Sequence, residues 1–110
     1  MSVVTLYGIY TAKFPFLDID ENKVRPVIVV SKPYGPYHAV TVIPLSSRPD
    51  KETVDTAISA WSEAGLAKPS IIRVHRLTTL LQSNLTSQLG VLNTSDTQRL
   101  KDSLRKLLAL

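Results

Sequence analysis

No cysteine occurs among the 110 residues, which excludes disulfides, thiolate-bound zinc and thiol nucleophiles together. Histidine is scarce: His38 and His75 are the two present, too few for a histidine-built metal site. No stretch approaches the ~20 apolar residues that a membrane span requires. The opening Met1-Ser2-Val3-Val4-Thr5-Leu6-Tyr7 lacks the basic start and long apolar run of a secretory signal. A cytoplasmic location with no membrane contact is therefore expected. Internal repeats, low-complexity tracts and linkers are missing as well.

What is present amounts to one core. A chain of 110 residues that is 44% hydrophobic predicts a single domain over 1–110, able to bury roughly two-thirds of its unfolded surface. Thirteen Lys and Arg against nine Asp and Glu give a net charge of +4 and a pI near 9.6. That balance favours a polyanionic partner, although a solvated basic surface produces the same count.

Residues 3 to 16 are rich in β-branched and aromatic types and read as a strand closed by Lys13-Phe14-Pro15-Phe16, since proline cannot donate to a ladder. Residues 17 to 22 read as a polar, solvated loop. Val24-Arg25-Pro26-Val27-Ile28-Val29-Val30-Ser31 ends in a continuous apolar run, the mark of a central strand buried on both faces. After the break at Lys32-Pro33-Tyr34-Gly35-Pro36-Tyr37, strand composition resumes through Ala39 to Leu45, which predicts a hairpin. Thr53 to Leu66 fits either a helical stripe of Val54, Ala57, Ile58 and Trp61 stopped at Gly65, or a strand over Val54 to Ile58 followed by a turn of helix at Trp61, and the strand is favoured. Ser70 to Leu77 is read as one strand, Leu80 to Leu85 as a short helix, and Leu89 to Leu92 as a short strand. Ser95 with Gln98 makes a capping-box pattern, and Leu100, Leu104, Leu107 and Leu108 lie on one stripe of a closing amphipathic helix. The outline is mainly β with α, a small barrel of five to seven short strands covered by a C-terminal helix.

The order of these landmarks resembles the PemK/MazF family of toxins over nearly the whole chain. The opening Tyr7-Gly8-Ile9-Tyr10 ahead of Phe14-Pro15-Phe16 is similar to the family's start, and Arg25-Pro26-Val27-Ile28-Val29-Val30-Ser31 to its "RPalVvS" strand. Val42-Ile43-Pro44-Leu45-Ser46-Ser47 is similar to the "vvPiTs" strand end. Gly65-Leu66 with Lys68-Pro69-Ser70-Ile71-Ile72-Arg73 is similar to the stretch bearing a second active-site arginine, and Leu89-Gly90-Val91-Leu92 to the "LGrL" strand. The sequence departs from the pattern twice: no acidic residue follows Gly8, and His75 stands where some members carry Asp. The resemblance implies an SH3-like barrel and a homodimer that cleaves single-stranded RNA without metal or other cofactor. It also implies neutralisation by a cognate antitoxin.

Such cleavage uses the neighbouring 2′-hydroxyl as nucleophile, so the protein must move protons and offset charge on the phosphorane. On this reading Arg25, held extended by Pro26, binds the phosphate. Arg73 is a second phosphate ligand or proton donor. In an extended strand Arg73 and His75 share a face roughly 7 Å apart, and an imidazole titrates near neutral pH. A strand histidine bonded to a backbone carbonyl is the other reading of His75. Truncating either arginine is expected to leave the fold intact, as both should be exposed. Ser46 completes the catalytic candidates, with turn capping as its ordinary alternative. Ser47, Arg48 and Lys51 are candidates for lining the RNA groove, and Tyr34 and Tyr37 for stacking on bases. His38 is read as structural, Trp61 as core or interface, and Arg76 as surface or dimer contact. The competing reading is a non-catalytic or gyrase-directed module on the same barrel.

Overall fold

The computed structural model describes residues 4–14 and 23–110; the expected step at Pro15-Phe16 and the loop 17–22 lie outside them. Among the described residues seven strands form: β1 (Gly8–Ala12), β2 (Arg25–Val29), β3 (Ala39–Ser46), β4 (Thr56–Ala57), β5 (Ile71–Ile72), β6 (Thr78–Leu81) and β7 (Leu85–Val91). One helix, α1 (Thr94–Leu108), closes the chain. The strands join antiparallel in the order β4-β5-β3-β2-β1-β7, with β6 also bonded to β3. The path is open, because β4 and β7 are not paired to each other.

The expected hairpin is β2–β3, in register Val27↔Pro44, Ile28↔Ile43, Val29↔Val42. Its alternating side chains supply two cores. Ile28 and Ile43 face one cluster with Ile9, Leu45, Ile72, Val74, Leu92 and Leu100, onto which Trp61, Leu104 and Leu107 pack. Val27, Val29, Val40 and Val42 face a second with Tyr10, Ala12, Phe14 and Leu80. β2 is thus buried on both sides, as its apolar run predicts. Leu100, wholly buried in α1, anchors the helix, and burial of such a side chain contributes about 1.5–3 kcal/mol. Leu108 is 48% exposed and leaves the stripe.

Several local expectations fail for tertiary reasons. The segment read as one strand over 70–77 pairs only at Ile71–Ile72, then turns into a 3₁₀ helix over Val74–Arg76. Leu80 to Leu85 is no helix: β6 pairs with β3 from Ala39↔Leu81 to Val42↔Thr78, and a 3₁₀ turn follows at Gln82–Asn84. Pairing beside a central strand overrides the leucine spacing. The cap of α1 is Asn93, whose side chain accepts from the Asp96 N–H at 2.7 Å, in place of Ser95. Around Trp61 the chain forms successive turns, with a bond from Ala64 N–H to the Ala60 carbonyl, and no regular helix.

These turns hold one wall of the candidate site. Asp96, fully buried, accepts from the N–H groups of Ser59 and Ala60, each at 3.1 Å, and pairs with Arg99. The same turns touch β7 backbone to backbone: a Cβ at Gly65 would lie 2.1 Å from the Leu89 carbonyl oxygen, and one at Gly90 2.2 Å from that of Ala64. Gly65 also has φ +90°, a conformation that glycine alone adopts without strain.

Candidate active site

Arg25 opens β2 and Ser46 ends β3, and the antiparallel register sets them at the same end of the hairpin. A cleft of about 740 Å³ lies there, lined by Phe14, Arg25, Pro44, Leu45, Ser46, Arg48, Arg73, Arg76, Leu77 and Thr78. Four of these are arginines, and none of the described lining residues is acidic. Arg25, Leu45 and Ser46 are shared with a second cleft of about 490 Å³, which Ser47, Gly65, Leu66, Lys68 and Leu89 also line. Arg73 and Arg76 are shared with a smaller opening among Asp50, Lys51, Glu52, Asp55 and His75. The three openings thus share lining residues and lie side by side.

Arg73 is the residue whose placement departs furthest from expectation. Its backbone leaves the strand at φ −82°, ψ 70°, and the side chain turns inward until the residue is 4% exposed. Nη1 donates to the Asp50 carbonyl, while Nη2 donates to the Arg48 carbonyl at 2.9 Å and to Ser46 Oγ at 3.2 Å. The guanidinium also faces Asp55 Oδ2 at 3.5 Å and Asp50 Oδ1 at 3.8 Å. Arg73 therefore staples the loop after β3, and the expectation that it is exposed is corrected. So is its shared strand face with His75.

The two residues meet through Asp55 instead. Its side chain is fully buried, with Oδ1 2.7 Å from His75 Nδ1 and Oδ2 accepting from the Glu52 N–H at 3.0 Å. Burial pushes the Asp55 carboxyl up, but the Glu52 N–H and His75 outweigh it and hold it below its ordinary value of 3.8. Asp55 is thus ionised at neutral pH. The His75 side chain is 34% exposed and bonds this carboxylate, not a backbone carbonyl.

Ser46 Oγ accepts from Arg73 Nη2 and from the Arg48 N–H at 3.1 Å. A hydroxyl has two acceptor positions; both are filled, which leaves its proton available for donation. Arg48 and Ser47 are exposed and Arg25 is half-buried. Lys51 lies at the His75 opening. Tyr34 and Tyr37, 68% and 75% exposed, sit beyond the far end of β3, about 23 Å from Ser46 at the rise of a strand, so this chain does not bring them to its own cleft. Trp61 packs on the core. His38 sits in the β2–β3 turn with φ 54°.

Asp55, Arg76 and Thr78 belong to the site but are not among the sequence candidates. Asp55 carries a signal, being a carboxylate inside the apolar stretch Val54-Asp55-Thr56-Ala57-Ile58. Its partner His75 stands 20 residues on, and nothing local joins them. Among the described residues no group of three or more His, Cys, Asp or Glu side chains is placed to hold a metal ion.

Residues 7–108 match the family model described as PemK-like, MazF-like toxin of type II toxin-antitoxin system. No protein among the curated sequences matches the chain. Among solved structures, the Mycobacterium tuberculosis toxin MazF-mt6 is 22% identical with a TM-score of 0.74, covering 94% of this chain and 97% of its own. MazE-MazF from Deinococcus radiodurans is 16% identical with a TM-score of 0.76, covering 100% and 99%. An endoribonuclease in complex with its cognate antitoxin from a mycobacterial species is 16% identical with a TM-score of 0.72, covering 96% and 94%. At these identities the structures establish the shared fold.

Proposed function

The chain belongs to the PemK-like, MazF-like toxins of type II toxin-antitoxin systems, and on that footing we propose that it is an endoribonuclease that cuts single-stranded RNA without a metal. The observation that carries this reading is the cleft in which Arg25, Arg48, Arg73 and Arg76 converge around Ser46 with no acidic neighbour among the described lining residues. A phosphodiester entering it meets positive charge and a donor hydroxyl. O2′ loses its proton and bonds to phosphorus, the P–O5′ bond breaks, and O5′ takes up a proton, leaving a 2′,3′-cyclic phosphate and a 5′-hydroxyl.

Arg25, Arg48 and Arg76 bind phosphate oxygens, and Ser46 donates to the phosphorane. Arg73 contributes fixed charge and holds the loop that carries Ser46 and Arg48. Preorganised groups of this kind need no reorganisation as charge develops. Ser47 and Lys51 extend the cleft toward flanking nucleotides. Base stacking by Tyr34 and Tyr37 requires the turn of a second protomer, in keeping with a homodimer whose open sheet edges are covered. Sedimentation at micromolar concentration tests that state, and a monomer with full activity would refute it.

The family also implies an antitoxin, which on the charge of this chain is an acidic segment laid over the arginine cleft in the cytoplasm. Its affinity should fall as salt rises. Labelled single-stranded RNA in EDTA tests the central reading. The parent should cleave, and Arg25→Ala should lower the rate about a hundredfold or more. Near-parental rates in folded Arg25→Ala and Arg73→Ala would sink it. Binding without cleavage would favour the non-catalytic module.

A further inference from the structure

A buried Asp55 and a partly exposed His75 form a pair that the cleft of arginines does not by itself explain. Asp55 comes from the segment entering β4 and His75 from the 3₁₀ helix after β5, so the fold, not local sequence, assembles them. The Asp55 side chain has no exposure, and its Oδ1 lies 2.7 Å from His75 Nδ1. Nδ1 is engaged by the carboxylate, so Nε2 is the ring nitrogen left for a substrate, and the His75 side chain is 34% exposed. An ionised carboxylate can only accept, so Nδ1 carries a proton, and in the neutral ring the lone pair is on Nε2. Oδ2 is separately committed to the Glu52 N–H and faces Arg73 Nη1 at 3.5 Å.

We propose that Asp55 is a positioning residue that fixes the tautomer and orientation of His75, making Nε2 the proton acceptor for RNA cleavage in the proposed nuclease. As the O2′–P bond forms, Nε2 takes the O2′ proton. The resulting imidazolium rests against Asp55, as O5′ departs and is protonated by water in the cleft. The imidazolium returns its proton to solvent. Around the ring stand Asp50, Lys51, Glu52, Arg73 and Arg76 besides Asp55. Of these, it is Asp55 that bonds Nδ1. The same carboxylate touches Arg73, so one buried group orients both the base and the staple of the Ser46 loop.

Asp55→Asn makes a specific prediction. The Glu52 N–H and Arg73 both demand an acceptor where Oδ2 lies, so the amide oxygen takes that place and the NH₂ is left facing His75 Nδ1. It donates there, Nδ1 becomes the acceptor, and the proton moves to Nε2. The variant keeps the shape of the site and inverts the tautomer. The experiment uses the full chain and reads two signals. Imidazole nitrogen NMR shifts of neutral His75 should report Nδ1–H in the parent and Nε2–H in Asp55→Asn. Cleavage in EDTA should fall roughly 10²–10⁴-fold in Asp55→Asn and in His75→Gln alike, and no further in the double variant.

Unchanged nitrogen shifts in Asp55→Asn, or a double variant that loses the product of the two single losses, would overturn the proposal. A parent that cleaves RNA while both single variants match it overturns the pair and leaves the nuclease reading standing. A parent that leaves RNA intact overturns the nuclease reading and the base role together, and the nitrogen shifts then show whether Asp55 still sets the tautomer.

Discussion

Arg73→Ala should destabilise the protein by about 3 kcal/mol, at the lower end of the ~3–5 kcal/mol for removing one partner of a buried charge pair. The lower end applies because Asp55 keeps the Glu52 N–H and His75. The contact with Asp50, whose side chain is 85% exposed, adds roughly 0–1 kcal/mol. The carbonyls of Arg48 and Asp50 lie in an exposed loop and rebind water. Within a total stability of about 5–15 kcal/mol the variant stays folded at room temperature, with Tm lowered by about 12 °C or more. Arg25→Ala, at a half-buried strand start, should cost about 1 kcal/mol. Urea unfolding of parent and both variants at pH 7, with m compared, measures the difference. A loss below about 1 kcal/mol in Arg73→Ala at unchanged m would refute the buried staple and restore the exposed arginine that the sequence predicts.

The pKa of Asp55, held below its ordinary 3.8, makes its contribution fully present at neutral pH and lost as pH falls below about 3.8 through the folded-state value. The stability gap between the parent and Asp55→Asn, from urea unfolding between pH 6 and 3, should therefore shrink in acid; a constant gap would refute this. Gly90→Ala would set a Cβ 2.2 Å from the Ala64 carbonyl oxygen and should lower stability by about 1–3 kcal/mol, read as a fall in Tm. Gly65→Ala adds backbone strain at φ +90° and should cost more, so a Tm equal to the parent's in either would argue against the close approach of the turn to β7.

What the sequence reveals follows the range of the forces involved. The β2–β3 hairpin is legible because Val27 to Val29 and Val40 to Val42 bury alternate side chains whatever lies beyond them. Arg25 and Ser46 follow from it, since the hairpin's register alone brings them to one end. The course of 70–77 is not legible, because Arg73 leaves the strand to reach carbonyls 23 and 25 residues away. The leucines from 80 to 85 mislead for the same reason: their partner strand begins at Ala39. Asp55 stands out in sequence as a carboxylate in an apolar stretch, but its role stays hidden because its spacing from His75 and Arg73 matches no local period.

The two halves of the site are mechanically one. Arg73 touches Asp55, which holds His75, and it also touches Ser46 Oγ and the Arg48 carbonyl, so the proposed proton acceptor and the proposed phosphate clamp hang on a single buried guanidinium. Residues that share partners in this way do not contribute additively. The loss on removing Arg73 then combines fixed charge, the aim of the Ser46 hydroxyl and the seat of Asp55, whereas removing Arg25 subtracts a phosphate contact from an otherwise intact frame. The larger activity loss should fall on Arg73, the residue less exposed to substrate.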